Sequence, residues 1–142
     1  MTAKEYLQQV EKLNILINHH IEQLAELKTI GARAVDYSAD RVQTSPTNSM
    51  ELLVSKWVDM EAEITQMIDR YVDLKYKVIR EIHQLEDTRY IQVLYKRYIE
   101  FKSLHKIAAE MDYEYTWMCR IHGYALNAFA DIINNTTNHN SL

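Results

Sequence analysis

The sequence predicts an all-α protein, and three observations support this prediction. The 142 residues include only two Gly and one Pro, so few positions would interrupt a helix. Apolar residues stand seven apart between Met50 and Leu85, as in a long amphipathic helix. Residues that commonly cap helices precede several of the periodic segments. We therefore expect a long antiparallel, coiled-coil-like helical hairpin followed by a C-terminal module of three helices.

The first helix is predicted to begin near Thr2 and to end near Gly31. Thr2 and Glu5 have the spacing of a capping box, and Gly31 suits a helix C-cap. Apolar residues recur every three or four positions, at Tyr6, Val10, Leu13, Ile17, Ile21, Leu24 and Leu27. Residues 32–49 have no such period and include a Ser-Pro-Thr-Asn-Ser run, which predicts a mobile loop. Either Asn48 or Ser49 is expected to cap the next helix.

The second helix carries the strongest pattern and is predicted from residue 50 to 85. Its heptad positions are Met50, Trp57, Ile64, Tyr71, Val78 and Leu85, with Leu53, Met60, Met67 and Leu74 between them. A neighbouring apolar edge comprises Val54, Val58, Ile68, Val72 and Ile79. A lone helix about 54 Å long would leave this wide face in water. We therefore expect it to pack on the first helix, on a second copy, or on both. The neighbouring apolar edge favours a bundle or a dimer of hairpins, which predicts a homo-oligomer.

Three further helices are predicted at residues 88–99, 104–111 and 115–133. Asp87 and Thr88 are expected to cap the first of them, and Ser103 the second. Residues 134–142 are polar and without period, which predicts a disordered tail. The predicted domains are therefore a hairpin at 1–86, a three-helix module at 87–133 and the tail at 134–142.

The spacing of apolar residues predicts which side chains of this module face its core. They are Leu94, Tyr98, Leu104, Ile107, Ala108, Met111, Met118, Ile121, Ala125 and Leu126. Trp117 is also expected in the core rather than at a contact surface. Asp112 occupies the turn position where the chain tends to enter the left-handed region, which Asp tolerates well. Tyr113 is expected to fill this turn, and His122 to be a surface or hydrogen-bonded residue.

The C-terminal third resembles a known DNA-binding element. The residues that carry the resemblance are Leu94-x2-Arg97-Tyr-Ile-Glu, Ile107-Ala, Asp112-Tyr113 and Trp117-x2-Arg120-Ile-His-Gly-x-Ala125-Leu126. This pattern resembles region 4 of bacterial sigma-70 factors, a helix-turn-helix that reads the −35 promoter element. From about residue 3 to 130, including the segment Asp40-Arg-Val-Gln-Thr-Ser-Pro46, the chain is similar to short sigma-like proteins of phages and prophages of Gram-positive bacteria. These are similar to autolysin-regulatory-type phage transcriptional regulators.

The resemblance implies a sequence-specific, sigma-like regulator of phage or prophage late genes. It places the base-reading positions at Tyr115, Thr116, Cys119 and Arg120. It places the phosphate contacts at Arg97, Lys102, Lys106 and Tyr124. Double-stranded DNA is then the expected partner, with RNA polymerase as a candidate second partner. Residues 87–127 hold six Lys or Arg against five Asp or Glu, so the module alone is expected to bind DNA weakly.

Other functions stay open at this point. The module could be a structural domain of a protein that never touches DNA, and that docks RNA polymerase or another phage protein instead. The low basic charge of residues 87–127 motivates this alternative. A DNA-packaging recognition subunit, which also joins a helix-turn-helix to helical oligomerisation segments, is the third candidate.

Several functional classes find little support in the sequence. The chain has no Gly-rich phosphate loop and no catalytic Ser motif, and Cys119 has no acid–base partner in view. We therefore expect no enzyme activity and no cofactor. His19-x2-Glu22 and His83-x2-Glu86 have the reverse order of the usual bundle metal motif, so no metal site is predicted. No apolar run is long enough for a membrane span, and the single Cys suggests a cytoplasmic location.

Overall fold

A computed structural model describes residues 1–39 and 47–139, and five α-helices account for most of them. The helices are α1 (Ala3–Ala39), α2 (Thr47–Ile82), α3 (Thr88–Tyr98), α4 (Leu104–Glu110) and α5 (Tyr115–His139). No strand occurs in the described ranges, so the all-α prediction is confirmed. None of the described helices has an apolar stretch long enough to cross a membrane.

Local side-chain chemistry sets the start of three helices, as predicted. At α1, the Thr2 amide donates to the Glu5 carboxylate at 2.9 Å and the Glu5 amide donates to the Thr2 hydroxyl at 3.2 Å. This is the reciprocal pair of a capping box. At α3, the Asp87 carboxylate accepts from the Arg89 amide at 2.9 Å, and at α4 the Ser103 hydroxyl accepts from the Lys106 amide at 3.2 Å.

The chain divides into two compact units. One contains Leu13–Arg70, and the other contains Met1–Lys12 together with the chain from Tyr71 onward. The unit that holds α3, α4 and α5 therefore also includes the first turns of α1 and the last turns of α2. The predicted module at 87–133 did not include these turns.

The unit that holds α3, α4 and α5 contains two clusters of buried side chains. The first comprises Leu7, Val10, Val78, Ile82, Leu85, Leu94, Tyr98, Ile99, Ala125 and Phe129. A hydrogen bond of 2.5 Å from the Tyr6 hydroxyl to the Glu81 carboxylate lies beside it. Burial and the Glu81 charge raise the pKa of Tyr6, so its hydroxyl keeps its proton. The start of α1 and the end of α2 are thus held together by a satisfied polar pair in mostly apolar surroundings.

The second cluster joins α3, α4 and α5. It comprises Val93, Ile107, Ala108, Met118 and Ile121. Leu94, Tyr98, Ile107, Ala108, Met118, Ile121 and Ala125 are buried as predicted, while Leu104, Met111 and Leu126 are partly buried. Ala108 is small at the point where α4 packs against α5, which lets the two helices approach closely.

The Leu13–Arg70 unit consists of the remaining turns of α1 and α2. His20 contacts Glu63 at 3.5 Å and Lys28 contacts Glu61 at 2.6 Å, so partners follow in reverse order along the two helices. Ile17, Ile64 and Met67 are buried within this unit. In contrast, Val54, Val58 and Ile68 on the neighbouring edge of α2 are exposed. Among the side chains whose burial is described in this unit, full burial is therefore limited to a narrow strip.

The prediction that the first helix ends at Gly31 is wrong, because α1 continues to Ala39. Gly31 is buried, and a Cβ at this position would lie 2.6 Å from Cζ3 of Trp57 and 3.0 Å from Cδ2 of Leu53. The glycine therefore allows two helices to approach closely and does not serve as a left-handed cap. Sequence spacing alone does not distinguish these two uses.

The predicted loop at 32–49 is also shorter than expected. Residues 32–39 are helical, and α2 begins at Thr47, so Asn48 and Ser49 lie within its first turn rather than at its cap. The segment 40–46, which forms part of the resemblance described above, lies outside the described residues.

The C-terminal tail differs from the prediction as well. Helix α5 extends to His139, so residues 134–139 are helical instead of disordered. Within it, the Thr136 hydroxyl donates to the Ile132 carbonyl at 2.9 Å. This bond satisfies a polar side chain within the helix itself. Residues 140–142 lie outside the described range.

Candidate nucleic-acid interface

A tight connection sets the direction in which α5 leaves α4. It contains the four residues from Met111 to Glu114. Asp112 has φ 57°, in the left-handed region, as predicted from its position. The Tyr113 amide donates to the Ala108 carbonyl at 2.9 Å, and the Tyr113 ring packs on the second cluster. The turn is therefore closed by a backbone bond and filled by an aromatic side chain.

One side of α5 is buried in the core. Met118, Ile121, Ala125 and Phe129 are buried at intervals of three and four residues. Residues 116, 120, 123 and 127 lie on the opposite side of a helix with 3.6 residues per turn. Thr116, Arg120 and Asn127 are exposed. The predicted reading side of α5 is thus the side that the core of its own unit leaves uncovered.

The four predicted base-reading residues differ in their surroundings. Thr116 and Arg120 are exposed, and Arg120 has no ion-pair partner within the described residues. Tyr115 is 42% exposed, but its ring stacks on His105 of α4, with centroids 3.7 Å apart and planes 6° apart. A hydrogen bond with the half-buried Cys119 thiol raises the pKa of Tyr115. Thr116 and Arg120 are therefore the two of the four best placed to meet a ligand.

The predicted phosphate contacts are also unequal. Arg97 donates from Nη1 to the Lys102 carbonyl at 3.0 Å. The Lys102 Nζ lies 2.8 Å from the Glu100 carboxylate and 3.0 Å from that of Glu110. Lys106 is exposed and has no ion pair among the residues that the structure describes. Lys106 is thus the lysine of the set whose charge is most available.

Glu110 at the end of α4 holds two lysines at once. Its carboxylate lies 2.9 Å from the Lys96 Nζ and 3.0 Å from the Lys102 Nζ. These two ammonium groups lower the pKa of Glu110 to about 2, so it is ionised at neutral pH. The positive charge that this region presents to an approaching polyanion is reduced accordingly.

The prediction that Trp117 lies in the core is wrong. Trp117 is 39% exposed, and its ring meets that of Tyr124 edge to face, with centroids 6.5 Å apart. Tyr124, a predicted phosphate contact, is itself 49% exposed. Arg120 lies between these two residues in the sequence of α5. Met118, the next residue after Trp117, is the one that enters the core.

A partly buried polar pair joins α5 to α3. The Tyr98 hydroxyl and the His122 Nε2 form a hydrogen bond of 2.7 Å, and their rings stack with centroids 5.7 Å apart. Burial, together with the nearby charges of Arg97 and Lys4, lowers the pKa of His122 from 6.5 to about 4. Between pH 6.5 and about pH 4, His122 is therefore less often protonated in the folded chain than in the unfolded chain. The contribution of His122 to stability is therefore complete above pH 6.5 and is lost as the pH falls towards 4.

Some residues that support this region were not identified from the sequence. Val93, Ile99 and Phe129 are buried in the two clusters. Phe129 continues the spacing of Met118, Ile121 and Ala125, so the period could have identified it. The Glu110 pairs had no comparable signal, because they depend on how the end of α4 meets α3. In the described part of the chain, no three His, Cys, Asp or Glu side chains are grouped so that they could hold a metal ion.

Comparison with known proteins adds no evidence about the function of this chain. No protein-family model, curated protein or solved structure matches this chain.

Proposed function

We propose that this chain is a sequence-specific DNA-binding transcriptional regulator, sigma-factor-like, that acts on phage or prophage late genes. In this proposal α4 and α5 form a helix-turn-helix, and α5 enters the major groove. The observation that carries the proposal is the exposed side of α5, with Thr116 and Arg120, directly opposite the side buried by Met118 and Ile121. A left-handed turn residue, Asp112, precedes α5 in the manner of helix-turn-helix connections.

Arg120 is the principal base-reading residue in this proposal. Its guanidinium is exposed and has no carboxylate partner among the described residues, so it needs to break no ion pair to bind. A guanidinium donates two bonds to the O6 and N7 edge of guanine. Thr116 lies one turn earlier on the same side, where its methyl or hydroxyl group would meet a neighbouring base. Tyr115 would contribute through its stack on His105 more than through direct contact, and Cys119 through its hydrogen bond with Tyr115.

Phosphate contacts position the helix in this proposal. Lys106 near the start of α4 and Tyr124 on α5 are exposed and would contact opposite sides of the groove. Lys102 and Arg97 are engaged within the protein and would contribute less until their partners rearrange. Affinity from a single module is therefore weak, and a second site is needed to strengthen it.

The long helices would supply that second site. We propose that α1 and α2 form an antiparallel hairpin and that two copies associate through it. The exposed edge of α2 at Val54, Val58 and Ile68 supports this, because association would remove the remaining exposed apolar area of these side chains from water. A dimer joins two reading modules, so the second binds at high effective concentration. RNA polymerase is the further partner that a sigma-like role requires.

The test begins with selection of bound duplexes from a random pool by the full chain. On the selected duplex, Arg120→Ala is expected to weaken binding by about 1–3 kcal/mol and to broaden the preference at one base position. Arg80→Ala, which removes an exposed arginine from α2, is the matched control and should leave binding unchanged. Equal affinity of the Arg120 variant and the wild-type chain would contradict the assignment of the reading side.

A second candidate is a helical interaction protein that does not bind DNA. The exposed apolar edge of α2 and the neutralised charge of Lys96 and Lys102 favour it. A mobility-shift experiment at about 50 mM salt separates the two, because phosphate binding strengthens steeply at low salt. Absence of a shift with every duplex would support this candidate over the first.

A further inference from the structure

Gly123 occupies an unusual place for a glycine. It lies in the interior of α5, on the outward side that also carries Thr116, Arg120 and Asn127. Glycine is among the least favourable residues for a helix interior, because it loses the most backbone freedom when the helix forms. A glycine at such a position calls for a reason that outweighs this cost.

The folded chain offers no such reason within the residues described. Gly123 does not have positive φ. A Cβ built on it would have no heavy atom of the described structure within 4 Å, apart from its own chain neighbours and helix backbone. Gly31 is the contrasting case, because there a Cβ would lie 2.6 Å from Trp57. Gly31 thus makes room for a neighbouring helix, whereas Gly123 leaves open a space that none of the described residues fills.

We propose that Gly123 is the point at which the sugar-phosphate backbone of a bound duplex passes against α5. This inference rests on the proposed DNA-binding function and adds to it the point at which α5 leaves the major groove. Glycine commonly serves where a ligand approaches the backbone closely, since it has no side chain to hold the ligand away. The missing Cβ would let a phosphate or deoxyribose contact the helix surface directly.

The position of Gly123 along α5 fits a groove edge. Seven residues separate it from Thr116, a distance of about 10 Å along the axis at 1.5 Å per residue. The major groove of B-form DNA is about 12 Å wide. If the first turns of α5 lie in the groove, Gly123 falls about where the helix meets the strand at its edge.

The neighbouring side chains suit a polyanion. Tyr124, directly after Gly123, is 49% exposed and carries a hydroxyl that would donate to a phosphate oxygen. Arg120 lies one turn earlier on the same side. No Asp or Glu occurs in the sequence between Tyr115 and Ala130, and the nearest carboxylate on α5 is Asp131, eight residues after Gly123, so few negative charges of α5 would oppose a phosphate here.

Two substitutions test the inference, because they separate stability from binding. Gly123→Ala and Gly123→Leu both improve helix propensity at an uncrowded position, so each should raise the thermal midpoint, by about 2–4 °C. Both should weaken binding to a duplex of about 30 base pairs, or roughly three helical turns, that the wild-type chain selects from a random pool. The expected loss is about fivefold or more for Ala and larger for Leu, as a longer side chain overpacks the contact further.

Asn135→Ala and Asn135→Leu are the matched controls. Asn135 is exposed on α5, twelve residues after Gly123 and on a different side of the helix. These variants should also gain stability but bind the selected duplex as the wild-type chain does. A gain in stability together with unchanged duplex affinity for both Gly123 variants would overturn the inference and leave the proposed function standing.

Two other outcomes are decisive. A wild-type chain that selects no duplex would overturn the proposed function and this inference together. Gly123 variants that bind the duplex normally but change the mass of the protein in light scattering would overturn the inference, because the close approach would then belong to a protein partner.

Discussion

The Glu110 carboxylate should limit how strongly this protein responds to salt when it binds DNA. It lies 2.9 Å from the Lys96 Nζ and 3.0 Å from the Lys102 Nζ, so two lysines near the proposed interface are paired within the protein. Replacing it by Glu110→Gln keeps the size of the side chain and removes its charge. The ammonium groups then become available to phosphates.

The expected size of the effect follows from counterion release. Each added phosphate contact steepens the slope of log affinity against log salt by about 0.9. Lys96 loses its partner in Glu110→Gln, whereas Lys102 keeps Glu100 at 2.8 Å. We therefore expect between one and two new contacts, or a slope steeper by about 1–2. Between 200 and 50 mM salt, each contact increases the affinity by a further factor of about 3.5.

The measurement is fluorescence anisotropy of a labelled duplex, titrated with wild-type and variant chains at several salt concentrations. Glu61→Gln is the control, since it removes the same charge but releases Lys28 of α1, which contacts Glu61 at 2.6 Å. This control should leave the slope nearly unchanged. If Glu110→Gln and Glu61→Gln gave the same slope, net charge would explain the effect, and the local role of the Glu110 pairs would be refuted.

Two further predictions concern the stability of the fold. Gly31→Ala should lower the free energy of unfolding by about 1–2 kcal/mol in denaturant titrations, because displacing Trp57 costs more than the gain in helix propensity. The control Gly123→Ala should raise the free energy of unfolding. A rise for both variants would contradict the close approach at Gly31. The fall in stability from pH 6.5 to 4 should largely disappear in His122→Phe. The full pKa shift of His122 corresponds to about 3 kcal/mol, which partial exposure reduces to about 1–2 kcal/mol. Parallel pH profiles of the two chains would show that His122 is not the group responsible.

Local chemistry made much of the helical framework predictable. The capping pair of Thr2 and Glu5 and the caps at Asp87 and Ser103 depend on residues within four positions of one another. The left-handed turn at Asp112 is local in the same sense. Interactions of this range are present in the sequence itself, so the starts of these helices could be predicted without a structure.

The candidate interface was predictable in part. The outward placement of Thr116 and Arg120 followed from the helical period, because the buried positions 118, 121 and 125 define the opposite side. Trp117 was predicted to lie in the core, yet it is exposed beside Tyr124. Period alone places it at the border of the buried side, and only the packing of neighbouring helices decides on which side of that border a residue lies.

The sequence by itself determined the helical class of this protein, most helix starts and the side of α5 that faces outward, since each depends on neighbours within a few residues. The tertiary structure alone decided the rest. It made Gly31 a point of close approach to Trp57 rather than a helix end, and it paired Lys96 and Lys102 with Glu110. The physical reason is that steric fit and charge pairing between helices act at a few ångströms in space, a distance that separation along the chain does not reveal.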